Sequence, residues 1–218
     1  MKRCIRPLVT GTLGAALLIG LPTAAEAAPK TTTCTDTLAP GTYQKVVVPE
    51  GESCITFEGP VTIRGGLSIQ PGATFVLGSE DNPSHTGTIS GGVSATNPAS
   101  VQIHFSTING GIKVRGGSGP FGGPFDITWN AIEDNRINGG ATVEGYDGFW
   151  MGFIRNHVNG SVNLNDNVLV DPDGNEYVTN VIHGNLNCTG NSPAPQIGDS
   201  EGSPNAVTGR KTGQCAGL

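Results

Sequence analysis

Ile108-Asn109-Gly110-Gly111-Ile112-Lys113-Val114 is answered by Ile137-Asn138-Gly139-Gly140-Ala141-Thr142-Val143 and by Val158-Asn159-Gly160-Ser161-Val162-Asn163-Leu164. The same phrase stands earlier as Ile63-Arg64-Gly65-Gly66-Leu67-Ser68-Ile69 and Ile89-Ser90-Gly91-Gly92-Val93-Ser94-Ala95, and later as Ile182-His183-Gly184-Asn185-Leu186-Asn187-Cys188. Val207-Thr208-Gly209 opens a seventh copy, and Val46-Val47-Val48 is a degenerate one ahead of the rest. The first glycines lie at 65, 91, 110, 139, 160, 184 and 209, so the spacing runs 26, 19, 29, 21, 24 and 25 residues. Within each copy the positions two before, two after and four after the first glycine are mostly Ile, Val, Leu or Ala, with Ser, Thr, Asn, Lys or Gly between them. Alternation at period two with β-branched residues is the signature of a strand with one buried face.

A further apolar run precedes most copies, at Phe75-Val76-Leu77, 101–105, 125–129 and 177–179. Each unit of about two dozen residues therefore carries two or three short strands separated by Gly, Asn or Pro turns. One unit cannot bury its apolar face alone, whereas stacked units share a continuous core. Composition agrees: 34 glycines in 218 residues disfavour long helices, and 36% hydrophobic residues with only 14% charged exclude a disordered chain. An antiparallel sandwich is the structural rival, since Gly-rich turns between strands also build sandwiches; the repeated register favours the solenoid.

Asparagine marks the corners. Asn135, Asn156, Asn180 and Asn205 each stand four residues before a first glycine, and 14 of the 17 asparagines follow residue 128. Stacked asparagines at a turn bond to the backbone and to one another, which predicts an Asn ladder.

Variable rung length, β-branched inward positions, glycine-marked corners and an Asn column together resemble the right-handed parallel β-helix proteins of the pectate-lyase-like superfamily. The resemblance spans roughly residues 43–215 and concerns architecture. It implies an all-β, single-domain right-handed parallel β-helix of about seven to eight rungs. Strictly hexapeptide left-handed solenoids fit badly, because the gaps are not multiples of six. The resemblance also implies a class of activity: enzymes of this superfamily cut uronate chains with Asp clusters that hold calcium or act as acid and base, assisted by an Arg or Lys. The outward column three residues after each first glycine reads Ser68, Ser94, Lys113, Thr142, Asn163, Asn187 and Thr212, so no catalytic motif of the superfamily matches residue by residue.

The chain begins with basic residues Lys2, Arg3 and Arg6, continues through an apolar stretch at 13–21 and reaches Ala25-Glu26-Ala27. This is the layout of a secretory signal peptide, with an apolar part too short to span a bilayer. We expect a signal at 1–27 and a β-helix domain at 28–218, capped by about 28–54 and about 189–218. The product is then secreted, extracellular and free of the membrane after cleavage. Removal of Lys2, Arg3, Arg6 and Glu26 leaves nine basic and seventeen acidic residues, a net charge of −8 in place of −6. Such a surface does not neutralise phosphates, so nucleic acid is not an expected partner.

Cys34, Cys54, Cys188 and Cys215 remain. An even count in an exported chain argues for disulfides, with three connectivities open. Two cysteines lie near each end, and local loop closure predicts Cys34 with Cys54 and Cys188 with Cys215. No C-x-x-C pair supports a four-cysteine zinc site.

Candidate chemistry is confined to loops. Glu133 and Asp134, then Glu144 and Asp147, flank one copy close to Arg136 and Arg155; Glu144, Asp147, Arg136 and Arg155 are the catalytic candidates, weighed against an ordinary solvated ion-pair cluster. Tyr146, Phe149 and Trp150 beside them are candidates for stacking on sugar rings or for packing under a loop. Asp171, Asp173, Asn175 and Glu176 place four oxygen-bearing side chains within six residues, a candidate calcium site that matches no full calcium-loop signature and competes with a plain turn. No other cofactor is expected. His157 and His183 precede their glycines on successive copies without a third ligand in register.

Two functions compete at this level. One is a secreted, non-catalytic solenoid that binds extracellular polysaccharide or cell-surface material, or takes part in surface assembly. The other is a small polysaccharide lyase or hydrolase acting on an acidic polysaccharide. An ice-binding face is a remote third, since the outward column lacks regular Thr rows.

Overall fold

The computed structural model describes residues 30–56, 58–118, 129–198 and 202–218; the signal segment and residues 125–128 of one expected strand lie outside them. The repeat phrase is one bend of a coil. Its first half forms a strand of one sheet, the glycine pair turns the corner, and its second half forms a strand of the next. Ile108 thus ends Thr107–Ile108, Gly110 and Gly111 turn, and Ile112–Arg115 follows.

The second half-phrases stack as a nine-stranded first sheet running from Thr31–Thr33 through Lys45–Val48, Leu67–Ile69, Val93–Thr96, Ile112–Arg115, Ala141–Glu144, Val162–Asn165 and Leu186–Thr189 to Lys211–Gly213. The apolar runs between copies form a six-stranded second sheet: Ser53–Thr56, Thr74–Leu77, Ser100–His104, Trp129–Glu133, Trp150–Ile154 and Asn175–Val178. The first half-phrases form an eight-stranded third sheet, from Gly41–Tyr43 to Ala206–Val207. A short pair, Asp147–Gly148 with Val168–Leu169, bridges the corner between the first and second sheets. All pairings between strands are parallel among the described residues, which rules out the sandwich. The protein is a parallel β-solenoid of about seven turns; nine strands at about 4.8 Å give a stack about 38 Å long.

Register follows the phrase. Val46, Leu67, Val93, Ile112, Ala141, Val162 and Leu186 pair in succession and all are buried. The outward column Ser68, Ser94, Lys113, Thr142, Asn163, Asn187, Thr212 also stacks in line, as the alternation requires. The first glycine of each phrase is needed for close approach. A Cβ on Gly160 would stand 2.7 to 2.8 Å from backbone atoms of Gly139 and Gly140 on the preceding turn. The second glycine varies: Ser161 and Asn185 stand in its place in two copies, whereas Gly92 and Gly111 have left-handed φ values of 82° and 85°, and a Cβ on them would stand 2.9 and 2.6 Å from the Gly111 and Gly140 carbonyl oxygens of the next turn.

Both expected disulfides are present, Cys34 to Cys54 and Cys188 to Cys215, with Cα separations of 5.5 and 5.2 Å. Each ties an end of the rod, where the last strand has no neighbour. Among the described residues no helix is long and apolar enough to cross a membrane.

Candidate functional site

The corner between the second and third sheets is built on backbone strain. Phe105, Asp134, Arg155 and Thr179 occupy the same corner of four successive turns, each with a left-handed φ between 46° and 58°. A non-glycine residue there costs energy and persists only where its surroundings impose it. The imposition is the Asn ladder beside them. Asn156 Oδ1 accepts the backbone N–H of Asn135 (3.1 Å), and Asn156 Nδ2 donates to the Ile132 carbonyl of the preceding turn (2.7 Å). Asn135 repeats both bonds one turn earlier, and Asn180 and Asn205 repeat them one and two turns later. All four side chains are buried.

This corner aims the ends of the second-sheet strands outward in register. His104 pairs with Glu133, and Glu133 with Ile154; one alternation back, Gln102 pairs with Ala131, Ala131 with Gly152 and Gly152 with Glu176. Together with Glu80 and Asp81 from the loop after Thr74–Leu77, and with Trp129, Phe149 and Trp150, these residues line a groove of about 890 Å³.

Its polar floor is almost fully buried. Glu133 Oε2 lies 3.8 Å from His104 Nδ1, too far for a hydrogen bond, and 3.4 Å from Arg155 Nη2. Arg155 is held mainly by Asp134, with Nε to Oδ1 at 2.7 Å and Nη2 to Oδ2 at 2.8 Å, a two-pronged clamp from one turn to the one before. Burial pushes the Glu133 carboxyl up to about 7; the acids Glu80, Asp134 and Glu176 push the same way and Arg155 opposes them. Burial also lowers His104 to about 4, with Asp134 opposing and Arg155 assisting. At neutral pH the histidine is neutral and the carboxyl is poised between its two forms. Gln102 Nε2 and His104 Nδ1 are buried without a hydrogen-bond partner among the described residues.

The two shifts have opposite effects on stability. Glu133 keeps its proton in the folded state between its ordinary 4.5 and about 7, so stability falls as pH rises through that window. His104 refuses a proton in the folded state between about 4 and its ordinary 6.5, so stability falls as pH drops through that one. Glu133→Gln removes only the first slope. The variant should gain stability relative to the wild type, on the order of 2 kcal/mol, as pH rises from about 4.5 to about 7. Paired thermal melts across that range measure it, and a constant difference in Tm would contradict the buried, proton-holding carboxyl.

Of the residues singled out in the sequence, Arg155 reaches this groove with Glu133 and Asp134. Glu144 lies on the first sheet, in an exposed ion pair with Arg115 (2.8 Å). Asp147 sits at the corner between the first and second sheets, and Arg136 is exposed at the start of a third-sheet strand. The solenoid therefore distributes over separate sheets and corners what lies within two dozen residues of chain. The aromatic run divides as well: Tyr146 is buried in the core, while Phe149 and Trp150 face the groove. In the acidic loop, Asn175 points inward, accepting from the Tyr177 hydroxyl (2.6 Å) and donating to the Pro193 carbonyl (2.9 Å). Glu176 points outward into the groove, and Asp171 accepts the Asp173 N–H (3.1 Å). Asn175 and Glu176 thus lie on opposite faces of their strand. His157 and His183 are exposed, and no group of three or more His, Cys, Asp or Glu side chains is placed to hold a metal ion among the described residues.

Gln102, His104 and Trp129 were invisible as site residues in the sequence. The signal that finds them is the outward parity of each inter-copy strand, once its register is known. A second, shallower trough of about 560 Å³ follows the glycine corner past Lys45, Ser68, Ser94, Lys113 and Thr142, but it lacks aromatic side chains and buried polar groups without partners. Comparison with family models, curated proteins and solved structures finds no match to this chain.

Proposed function

We propose that this chain is a secreted, non-catalytic β-solenoid that binds an extracellular polysaccharide along the groove of its second sheet. The observation that carries the reading is the pairing of an aromatic rim with a buried polar floor left incomplete: Trp129, Phe149 and Trp150 stand beside Gln102 Nε2 and His104 Nδ1. Aromatic faces stack on the apolar faces of sugar rings, and a buried donor without a partner costs about 1 to 3 kcal/mol until a ligand hydroxyl satisfies it. The signal-like N-terminus and the two disulfides support an oxidising compartment outside the cell. The three-sheet parallel coil supports kinship with the pectate-lyase-like superfamily at the level of architecture.

Trp129 and Trp150 are the only tryptophans in the chain, so intrinsic fluorescence reports on the groove alone. Titration with a panel of oligosaccharides should give a saturable change with at least one of them. Gln102→Ala should weaken that binding about tenfold, the equivalent of roughly 1.4 kcal/mol. A flat response to the whole panel at millimolar concentration would refute the reading. A hydrolase is the second reading, favoured by one feature: Glu133 retains its proton near neutral pH, as a general acid must. New reducing ends that disappear in Glu133→Gln would establish it in place of simple binding.

A further inference from the structure

The outward face of the second sheet changes character along the rod. Its middle column reads Ile55, Val76, Gln102, Ala131, Gly152 and Glu176, in register from turn to turn. The polar groups at the centre of the groove carry no fixed charge: Gln102 is an amide, His104 is neutral at pH 7, and Glu133 holds its proton up to about 7. The full charges stand around them and are mostly of one sign. Glu80 and Asp81, on the loop after Thr74–Leu77, are exposed at the groove wall, and Glu176 lines its far end. Arg155 is the one cation among the described residues that line the groove, and Asp134 holds its guanidinium at 2.7 and 2.8 Å. The sign of the resulting field is felt at Glu133. After burial, the strongest influence on that carboxyl is repulsion from Glu80, ahead of the attraction of Arg155, whose Nη2 stands only 3.4 Å from Oε2.

We propose that the groove selects a neutral polysaccharide, and that the acids around it act as a filter against uronate and sulfated chains. This rests on the glycan-binding reading above and narrows it to a substrate class. Discrimination needs a feature that penalises the wrong ligand as well as contacts that favour the right one. Here the favourable contacts are indifferent to charge. Aromatic faces stack on any sugar ring, and Gln102 and His104, both more than nine-tenths buried, carry polar atoms without partners that suit a hydroxyl. A carboxylate or sulfate would instead be brought beside Glu80, Asp81 and Glu176, in a space where water is partly excluded and like charges repel more strongly than in bulk. With Arg155 already paired to Asp134, no other cation among the described lining residues offsets that repulsion. A cationic sugar, for its part, would meet the Arg155 guanidinium. The filter reverses the acidic-polysaccharide preference that the superfamily resemblance implies.

Cellohexaose, mannohexaose and laminarihexaose, each beside a counterpart whose primary alcohols are oxidised to carboxylates, test the class at pH 7 by tryptophan fluorescence. At least one neutral chain should bind, and its carboxylated counterpart should bind at least tenfold more weakly. Because the filter is electrostatic, raising the salt from about 0.01 M to about 1 M, which shortens the Debye length from about 30 Å to about 3 Å, should shrink that ratio severalfold. The double variant Glu80→Gln, Asp81→Asn alters two exposed side chains and should shrink it similarly at low salt; the salt series needs no variant. Three results overturn the filter and leave the glycan groove standing: a ratio that responds to neither salt nor the variant, a carboxylated chain that binds as tightly as its neutral parent or more so, or a glucosamine hexamer that binds more tightly than every neutral chain. No response to any of these probes, or to the wider panel, overturns both.

Discussion

Asn156→Ala should lower the stability of this protein by about 3 to 5 kcal/mol, whereas Asn159→Ala, three residues along, should cost less than about 0.5 kcal/mol. Asn156 is fully buried and serves two turns at once. Its Oδ1 accepts from both the backbone N–H and the Nδ2 of Asn135, and its Nδ2 donates to the Ile132 carbonyl and to Asn180 Oδ1. Alanine strands a backbone donor and a backbone acceptor where water does not reach, and each group so abandoned costs about 1 to 3 kcal/mol. The loss also releases the left-handed corner at Asp134 and Arg155, so the groove should loosen with the fold. Asn159 belongs to a second ladder, with its Nδ2 donating to Asn138 Oδ1 at 2.8 Å, but that ladder is exposed and water replaces it. For a chain of this size the Asn156 variant should melt about 10 °C or more below the wild type. Thermal melts of the two variants side by side are decisive, and similar midpoints would show that the inner ladder does not carry the corner.

Gly160→Ala is expected to be nearly as damaging, at about 3 kcal/mol, although it adds a single methyl group. Alanine is ordinarily the better residue for stability wherever the backbone allows it, and Gly160 does not have a left-handed φ that would forbid it. The obstacle is the preceding turn. The new Cβ would lie 2.7 Å from Gly140 N and 2.8 Å from the carbonyl carbon and oxygen of Gly139. Those atoms are backbone and cannot rotate away, so adjacent turns must separate and lengthen the ladder bonds on both sides of the corner. Ser161→Ala is the control, because its position already tolerates a side chain and the one bond its hydroxyl accepts, from the Asn185 N–H at 3.1 Å, is exposed, so water replaces it. Urea unfolding should show a marked fall in midpoint for Gly160→Ala and almost none for Ser161→Ala; equal midpoints would mean that the corner has slack which the packing denies.

Those two residue pairs mark the border between what can be read from the chain and what cannot. Asn156 and Asn159 are the same residue type three positions apart on one turn, and Gly160 and Ser161 are neighbours at one corner. The spacing of Asn135, Asn156, Asn180 and Asn205 before their glycines made the inner ladder legible, because a feature repeated once per turn is written into the phrase. That Asn109, Asn138 and Asn159 form a second ladder on the outside was equally present in the letters. Only burial separates the ladder that holds the fold from the one that decorates it.

The candidate site was far less legible. Glu133, Asp134 and Arg155 stand near the acids and arginines that the sequence draws together, yet Glu144 and Arg136 are carried to other faces. The reason is geometric: in a coil of some two dozen residues per turn, neighbours along the chain separate at each corner, while residues 19 to 29 positions apart in successive repeats come into register. Gln102, His104 and Trp129 sit on strands that carry no motif of their own, and Glu176 stands out in the sequence only as part of the acidic loop at 171–176. Their meeting depends on the length of every intervening loop.

Features that answer a local demand can be read from the chain: period-two alternation, the first glycine and the inner asparagines, which recur from turn to turn, and the cysteines paired within each end. Each of these answers a local demand, to bury one face, to let backbones touch, to satisfy a corner or to close a short loop, and a local demand leaves the same residue at the same place in every copy. The groove emerges only on stacking, because its chemistry comes from residues that differ from one turn to the next. The burial that lifts the Glu133 carboxyl exists only once the turns are stacked.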